Sequence, residues 1–284
     1  MQIIITMAGL GQRFKDAGEL KPKPFIQVGE KSALKHLTDI LPDSWKIFFA
    51  IGDHLKSTDT ENEIKKLNKK NYEIIYVPYS SRGPIDTVLA VVPVLNSEMP
   101  AIVSYCDYTI TWDAADFISK IKSTNSDAAV VSYRGFHPTY LGPNSYCHLK
   151  MDENNFIQQL QEKKLFTDNI ESEWTSCGMY YFKSAVFLKE CLSEQMNQDL
   201  CFRADGKAEF YTSLSLQAMK NKTPEMKILN YEIKYFIQFG TPFDINRFQF
   251  WHSYFVLKKE LLNNNIKFTS IEEMYWSNYF SLKK

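Results

Sequence analysis

Residues 7 to 25, MAGLGQRFKDAGELKPKPF, directly follow a short apolar run, Ile3 to Thr6. Gly9, Gly11 and Gly18 punctuate the stretch, and Arg13, Lys15, Lys21 and Lys23 stand around Pro22 and Pro24. Glycines after a strand let backbone N–H groups come close to an anion, and cationic side chains complete such a site. The pattern points to a phosphate-rich ligand; its bland alternative is a solvated surface loop. The segment lacks the Gly-Lys-Ser/Thr ending of a P-loop. Gly9 and Gly11 match the start of a dinucleotide fingerprint, but Phe14 holds the place of the third glycine and no helix is expected to begin there.

A second candidate is Asp107 in YCDYTI, just past the apolar run Ala101–Ser104. Open parallel sheets bind ligands at the carboxyl ends of their strands, and a hard carboxylate there suits Mg²⁺ bridging phosphate oxygens. An Asx turn or a helix cap is the competing role.

The elements that must position these residues are legible as alternation. Further runs rich in β-branched and aromatic residues lie at Lys46–Ile51, Glu73–Val77 and Ala128–Tyr133, with helical segments at Ala33–Leu41, Pro84–Leu95 and Ala114–Ser123. Strand and helix in alternation predict an α/β fold, a Rossmann-like and mostly parallel sheet flanked by helices. Pro84 suits the first turn of its helix. Beyond about residue 140, Tyr146–Met151, Phe156–Leu160 and Met179–Phe182 read as strands without helices between them, which predicts a mixed sheet. From Pro242 onward the chain reads as helical and aromatic, with Phe243, Phe248, Trp251, Tyr254 and Phe255 near helical spacing, as in a helix packed on the core. The expected organisation is one domain over 1–241, whose pattern changes near residue 136, and a helical extension over 242–284 packed on it.

Composition narrows the function. Lys plus Arg and Asp plus Glu number 33 each, so bulk charge favours neither nucleic acid nor an acidic membrane surface, and any anion site is local. The five cysteines are scattered, without a CxxC pair, as in reduced cytoplasmic proteins, and the histidines show no zinc spacing. Neither a signal peptide nor a bilayer-spanning stretch is expected, which places the protein in the cytoplasm.

MAGLGQRF…KPKPFIQV resembles the Gly-x-Gly-x-Arg…Pro-Lys-Pro signature of the nucleotidyltransferases that make nucleotide sugars, which have a GT-A-like fold. The likeness continues in order through SSRGPIDTVLAV, VSYCDYTITWD, QLQEKK, WTSCGMYYFK and FGTPFDI. It is nearest to a branch found in bacterial capsule and lipopolysaccharide gene sets. The resemblance implies transfer of a nucleoside monophosphate from an NTP to a phosphorylated acceptor, usually a sugar 1-phosphate, with release of pyrophosphate and help from Mg²⁺. It implies a nucleotide-binding half (1–135) and an acceptor-binding half (136–241), and nucleotide binding by Met7, Ala8, Gly9, Gly11, Arg82, Gly83 and Asp107, with Arg13 on the β and γ phosphates and Lys23 on the α phosphate. Glu162, Lys163 and Gly178 fall where the family meets its acceptor: Glu162 taking a hydroxyl hydrogen bond, Lys163 reaching the acceptor phosphate, Gly178 allowing close approach. Asp107 matches the metal aspartate. Where the family has a second metal aspartate this chain has Gln238, which offers only a neutral carbonyl; Asp244 is near but suits a helix cap. Arg82 stands where many members have Gln beside the base, and its fixed donors suit cytosine better than uracil or thymine, hence CTP. Phosphocholine and phosphoglutamine are alternative acceptors, and either implies a cytidylyltransferase outside sugar metabolism. A GT-A glycosyltransferase is disfavoured because residues 107 to 109 read Asp-Tyr-Thr; an inactive regulatory homologue draws on the missing aspartate. A homo-oligomer is compatible with all of these.

Overall fold

The computed structural model describes residues 1–264 together with Ile271 and Met274. The chain opens with β1 (Gln2–Met7), the five-residue α1 (Gln12–Asp16), a small hairpin of β2 (Gln27–Val28) and β3 (Lys31–Ser32), and α2 (Ala33–Asp39). Then come β4 (Lys46–Gly52), α3 (Thr58–Lys65), β5 (Tyr72–Val77), α4 (Pro84–Val91), β6 (Ala101–Tyr105), β7 (Tyr108–Thr111), α5 (Ala114–Thr124) and β8 (Ala128–Tyr133). The second half holds β9 (Cys147–Met151), β10 (Ile157–Glu162), β11 (Trp174–Phe182), α6 (Ala185–Asn197), β12 (Phe202–Ala204), β13 (Lys207–Glu209) and α7 (Thr212–Lys222). It closes with β14 (Ile228–Glu232), β15 (Tyr235–Gln238) and α8 (Pro242–Asn263).

β6, β1, β4 and β5 lie side by side in parallel, and β14 pairs in parallel with β8. β11 joins the two groups, running antiparallel to β6, β8 and β9. The expected parallel sheet with a mixed second half is therefore what forms. Within β1 successive side chains point to opposite faces. Ile3 and Ile5 enter a cluster with Phe49, Phe117 and Tyr181, while Ile4 enters the opposite one with Phe48, Ile85 and Leu188. Both faces are buried, which is why β1 is a continuous apolar run.

Several local expectations change. A helix does begin beside Phe14: Gly11 caps α1 in the left-handed region, φ 66°, and Phe14 is buried. The helix expected over Pro84–Leu95 ends at Val91 and continues as a 3-10 turn over Val92–Val94, since Pro93 lacks the N–H that an α-helix would use there. α3, α6 and α7 were not foreseen. In α7 the polar Thr212, Ser213, Ser215 and Lys220 are buried, so that helix shows no clear polar face; α6 does carry an exposed polar side, with Lys189, Glu190, Ser193 and Asn197. α8 starts as foreseen: Asp244 Oδ2 accepts from the Thr241 N–H at 2.9 Å and the Thr241 hydroxyl at 2.7 Å, a cap of the helix start. Its aromatic residues divide. Phe248 packs on a cluster of Phe14, Ile26, Val28, Phe239 and Ile245, whereas Phe243, Trp251 and Phe255 are exposed. The rest of the expected extension lies outside the described residues. Among the described residues no helix is long and apolar enough to cross a membrane.

Candidate active site

Parallel pairing of β1 with β6 sets Thr6 beside Tyr105, so the opening loop and the Cys106–Asp107 turn leave the sheet at the same end. Lys23 sits between Pro22 and Pro24 at the start of a 3-10 turn whose Pro24 and Phe25 are buried. That anchor turns its ammonium inward, 2.6 Å from Asp107 Oδ2. Burial opposes the lysine's charge, but Asp107 outweighs it, and the Lys23 pKa lies above its ordinary value. Lys23 is a fixed cation at physiological pH.

β7 and β15 form an antiparallel ribbon in which Gln238 pairs with Tyr108. The Phe239 N–H donates to the Asp107 carbonyl at 2.7 Å. Gln238 is thereby held beside Asp107, and its Oε1 is buried without a hydrogen-bond partner. Gly240 makes this possible: a Cβ there would fall 3.1 Å from Asp107 Oδ2 and collide with the Gln238 amide.

The second half of the chain closes the opposite wall. β10 ends at Glu162, and Lys163 turns off the strand in the left-handed region, φ 56°, its N–H bound to the Tyr146 carbonyl at 2.7 Å. Glu162 is 7% exposed and accepts from the Ser213 hydroxyl. Burial raises its pKa to about 7, with Ser213 and Lys163 pulling the other way. In β11 the register shifts between Ser176 and Met179. Gly178 lies in that bulge with φ 93°, and a Cβ there would stand 2.6 Å from the Tyr105 ring. A bulge re-aims a strand, and here it opens the wall between β6 and β8.

Arg13, Lys23, Asp107, Glu162, Lys163, Gly178 and Gln238 thus line one pocket of about 290 Å³. Met7, Ala8, Gly9, Gly11, Arg82 and Gly83 are not among its lining residues. The first four form the strand end and loop that lead to Arg13. Gly9 has no atom within 4 Å of the place a Cβ would take, so a ligand can approach its backbone. Gly83, φ 97°, opens α4, and a Cβ there would lie 3.1 Å from the Phe210 backbone. The Arg82 guanidinium, just ahead of α4, is bound by Asp86 in that helix's first turn, with Nε 2.9 Å from Oδ2 and Nη2 on Oδ1.

Tyr105, Tyr180 and Tyr211 also line the pocket and were missed in the sequence. The Tyr105 hydroxyl is buried and unpartnered. Tyr105 lies two residues from Asp107 and Tyr180 two from Gly178, which were usable signals; nothing near Tyr211 marked it.

Among the described residues no cluster of three or more His, Cys, Asp or Glu could hold a metal. An ion bound by Asp107 and the orphaned Gln238 carbonyl would complete its oxygen shell with phosphate and water, as Mg²⁺ commonly does. That donor set fits a hard divalent cation shared with a phosphate ligand.

The model of the MobA-like NTP transferase domain matches residues 3–166. That is more than half of the chain, and the chain belongs to this family: it is a nucleotidyltransferase. Its fold is similar to that of the nucleoside-diphosphate-sugar pyrophosphorylase from Vibrio cholerae RC9 (TM-score 0.67, 18% identity, 88% of this chain and 99% of that one). It is also similar to HddC from Yersinia pseudotuberculosis (TM-score 0.60, 18% identity, 88% and 98%) and to a UTP-bound UGPase from Acinetobacter baumannii (TM-score 0.63, 14% identity, 100% and 99%). No curated protein matches the chain.

Proposed function

We propose that this nucleotidyltransferase moves a nucleoside monophosphate from an NTP to a phosphorylated small molecule, most simply a sugar 1-phosphate, and releases pyrophosphate. The observation that carries the reading is the convergence of Arg13, Lys23, Asp107 and Lys163, from four separate segments, on one pocket. An oxygen of the acceptor phosphate attacks the α phosphorus, the bond from that phosphorus to the bridging oxygen breaks, and that oxygen leaves with the pyrophosphate. Both partners are anionic, so the barrier falls mainly through alignment and charge compensation.

Met7, Ala8, Gly9 and Gly11 bring the nucleotide in along the loop, and Arg13 holds the β and γ phosphates with its planar fork. Lys23, a compact charge held in place by Asp107, faces the α phosphate. Lys163 meets the acceptor phosphate, Glu162 a hydroxyl of the acceptor, and the cleared space at Gly178 admits its body. A divalent ion, Mg²⁺ by the hardness of the donors, would be held by Asp107 and Gln238 and would supply further charge compensation on phosphate oxygens.

Base choice has less support. A preference for CTP needs Arg82 to present its donors to the base, and those donors are committed to Asp86; the backbone around Gly83 is the better candidate for contact with the base. A role in surface polysaccharide synthesis rests on the sequence resemblance alone.

The test is pyrophosphate release from ATP, CTP, GTP, UTP and dTTP against sugar 1-phosphates, phosphocholine and phosphoglutamine, with Mg²⁺. Release that needs both an NTP and one of these acceptors is expected. An absence of acceptor-dependent release across the panel overturns the proposal.

A further inference from the structure

Lys163 does not reach into the pocket unsupported. Its ammonium donates to Glu209 Oε2 at 3.1 Å and lies 4.5 Å from the centre of the Phe202 ring and 4.8 Å from that of Tyr211. The Tyr211 hydroxyl donates to the same Glu209 oxygen at 2.6 Å. Burial works against the Glu209 charge, but Tyr211 and Lys163 outweigh it and hold its pKa below the ordinary value. Glu209 is ionised at neutral pH.

The same short stretch reaches both halves of the site. Beside Glu209, the Phe210 N–H donates to the Arg82 carbonyl at 2.7 Å, and its carbonyl accepts from the Ile85 N–H at 3.2 Å. Three residues further on, Ser213 holds the Glu162 carboxyl. Residues 209–213 therefore touch Lys163, Glu162 and the segment that opens α4.

A lysine is a point charge on a flexible stem, and fixing it costs rotamer entropy. A substrate that must order the lysine itself bears that cost; a lysine already fixed does not impose it. Glu209 lies outside the pocket lining and reaches the site through Lys163.

We propose that Glu209 is a positioning residue for acceptor binding, fixing the Lys163 ammonium where the acceptor's phosphate arrives. This rests on the reading of Lys163 as the acceptor-phosphate contact. Steady-state KM and kcat would be measured for Glu209→Ala, Glu209→Gln, Lys163→Ala and the Lys163→Ala/Glu209→Ala pair, using the panel acceptor that releases pyrophosphate fastest. Glu209→Ala should raise the acceptor KM about tenfold, leave the NTP KM within about twofold, and leave the melting temperature near wild type, as suits a half-exposed side chain. Glu209→Gln, which keeps an acceptor oxygen at the same reach, should lose less. In the Lys163→Ala background, Glu209→Ala should add nothing. If Lys163→Ala raises the acceptor KM and Glu209→Ala does not, the inference fails while the reading of Lys163 stands. If neither moves it, the reading of Lys163 fails as well. Equal rises in both substrates' KM with a lowered melting temperature, or a full further loss in the pair, also overturn the inference.

Discussion

Glu162→Gln should remove a pH dependence of stability whose size follows from the burial of that carboxyl. In the folded protein burial raises the Glu162 pKa to about 7, against an ordinary value of 4.5. Between those two pH values the folded chain keeps a proton that the unfolded chain has released. The folded state binds more protons there, so stability falls as pH rises through the window and levels off above about pH 7. At 1.36 kcal/mol per pKa unit the full loss is on the order of 3 kcal/mol, of which about 2 kcal/mol falls between about pH 5.5 and about pH 8.5. Glutamine cannot ionise and retains an oxygen for the Ser213 hydroxyl. Urea denaturation followed by tryptophan fluorescence, on wild type and variant at both pH values, isolates the effect. Other titrating groups, such as Asp244, whose pKa burial also raises, act in both proteins and cancel in the difference. The variant should gain about 2 kcal/mol on wild type as the pH is raised, a relative shift of a few degrees or more in melting temperature. A wild-type-minus-variant difference that is flat with pH, or that moves the other way, would refute the argument that burial governs this carboxyl.

The remaining predictions concern charge and space in the same pocket. Arg13→Ala and Lys23→Ala should keep a native far-UV circular dichroism spectrum and lose roughly 10²-fold or more in turnover; near-normal turnover in either would remove that residue from the phosphate site. Asp107→Asn should lose most activity, and a chelator should abolish pyrophosphate release in the wild type, with Mg²⁺ restoring it; release that survives chelation would exclude the proposed ion. Gly178→Ala sets a Cβ 2.6 Å from the Tyr105 ring at a φ of 93°, so it should cost at least about 1 kcal/mol of stability and raise the acceptor KM. A wild-type melting temperature and KM would show that this wall has slack.

The strands β1, β4, β5, β6 and β8 and the helices α2, α4 and α5 of the first half were legible because their signals are local. A buried parallel strand must be apolar throughout, as Ile3 to Ile5 are, and the proposed phosphate loop combines glycine with cations within a few residues, from Gly9 to Lys23. Register and neighbours were not legible. Gln238 reads in sequence as a lost aspartate, and only the β7–β15 ribbon sets its unpartnered carbonyl beside Asp107. Arg82 reads as a free donor, yet a helical turn brings Asp86 onto its guanidinium. Phe243, Trp251 and Phe255 read as core because helical spacing records which residues share a face, not whether another element covers it. Glu209 carried no signal, since it acts through a lysine 46 positions earlier in the chain. Sequence alone determined the strands β1, β4, β5, β6, β8, β9, β10 and β11 and the residue types from which the proposed site is drawn, because these depend on residues close together in the chain. Tertiary structure alone decided which carboxylate faces which cation and how buried each is, because distance and solvation are set by segments that meet only on folding.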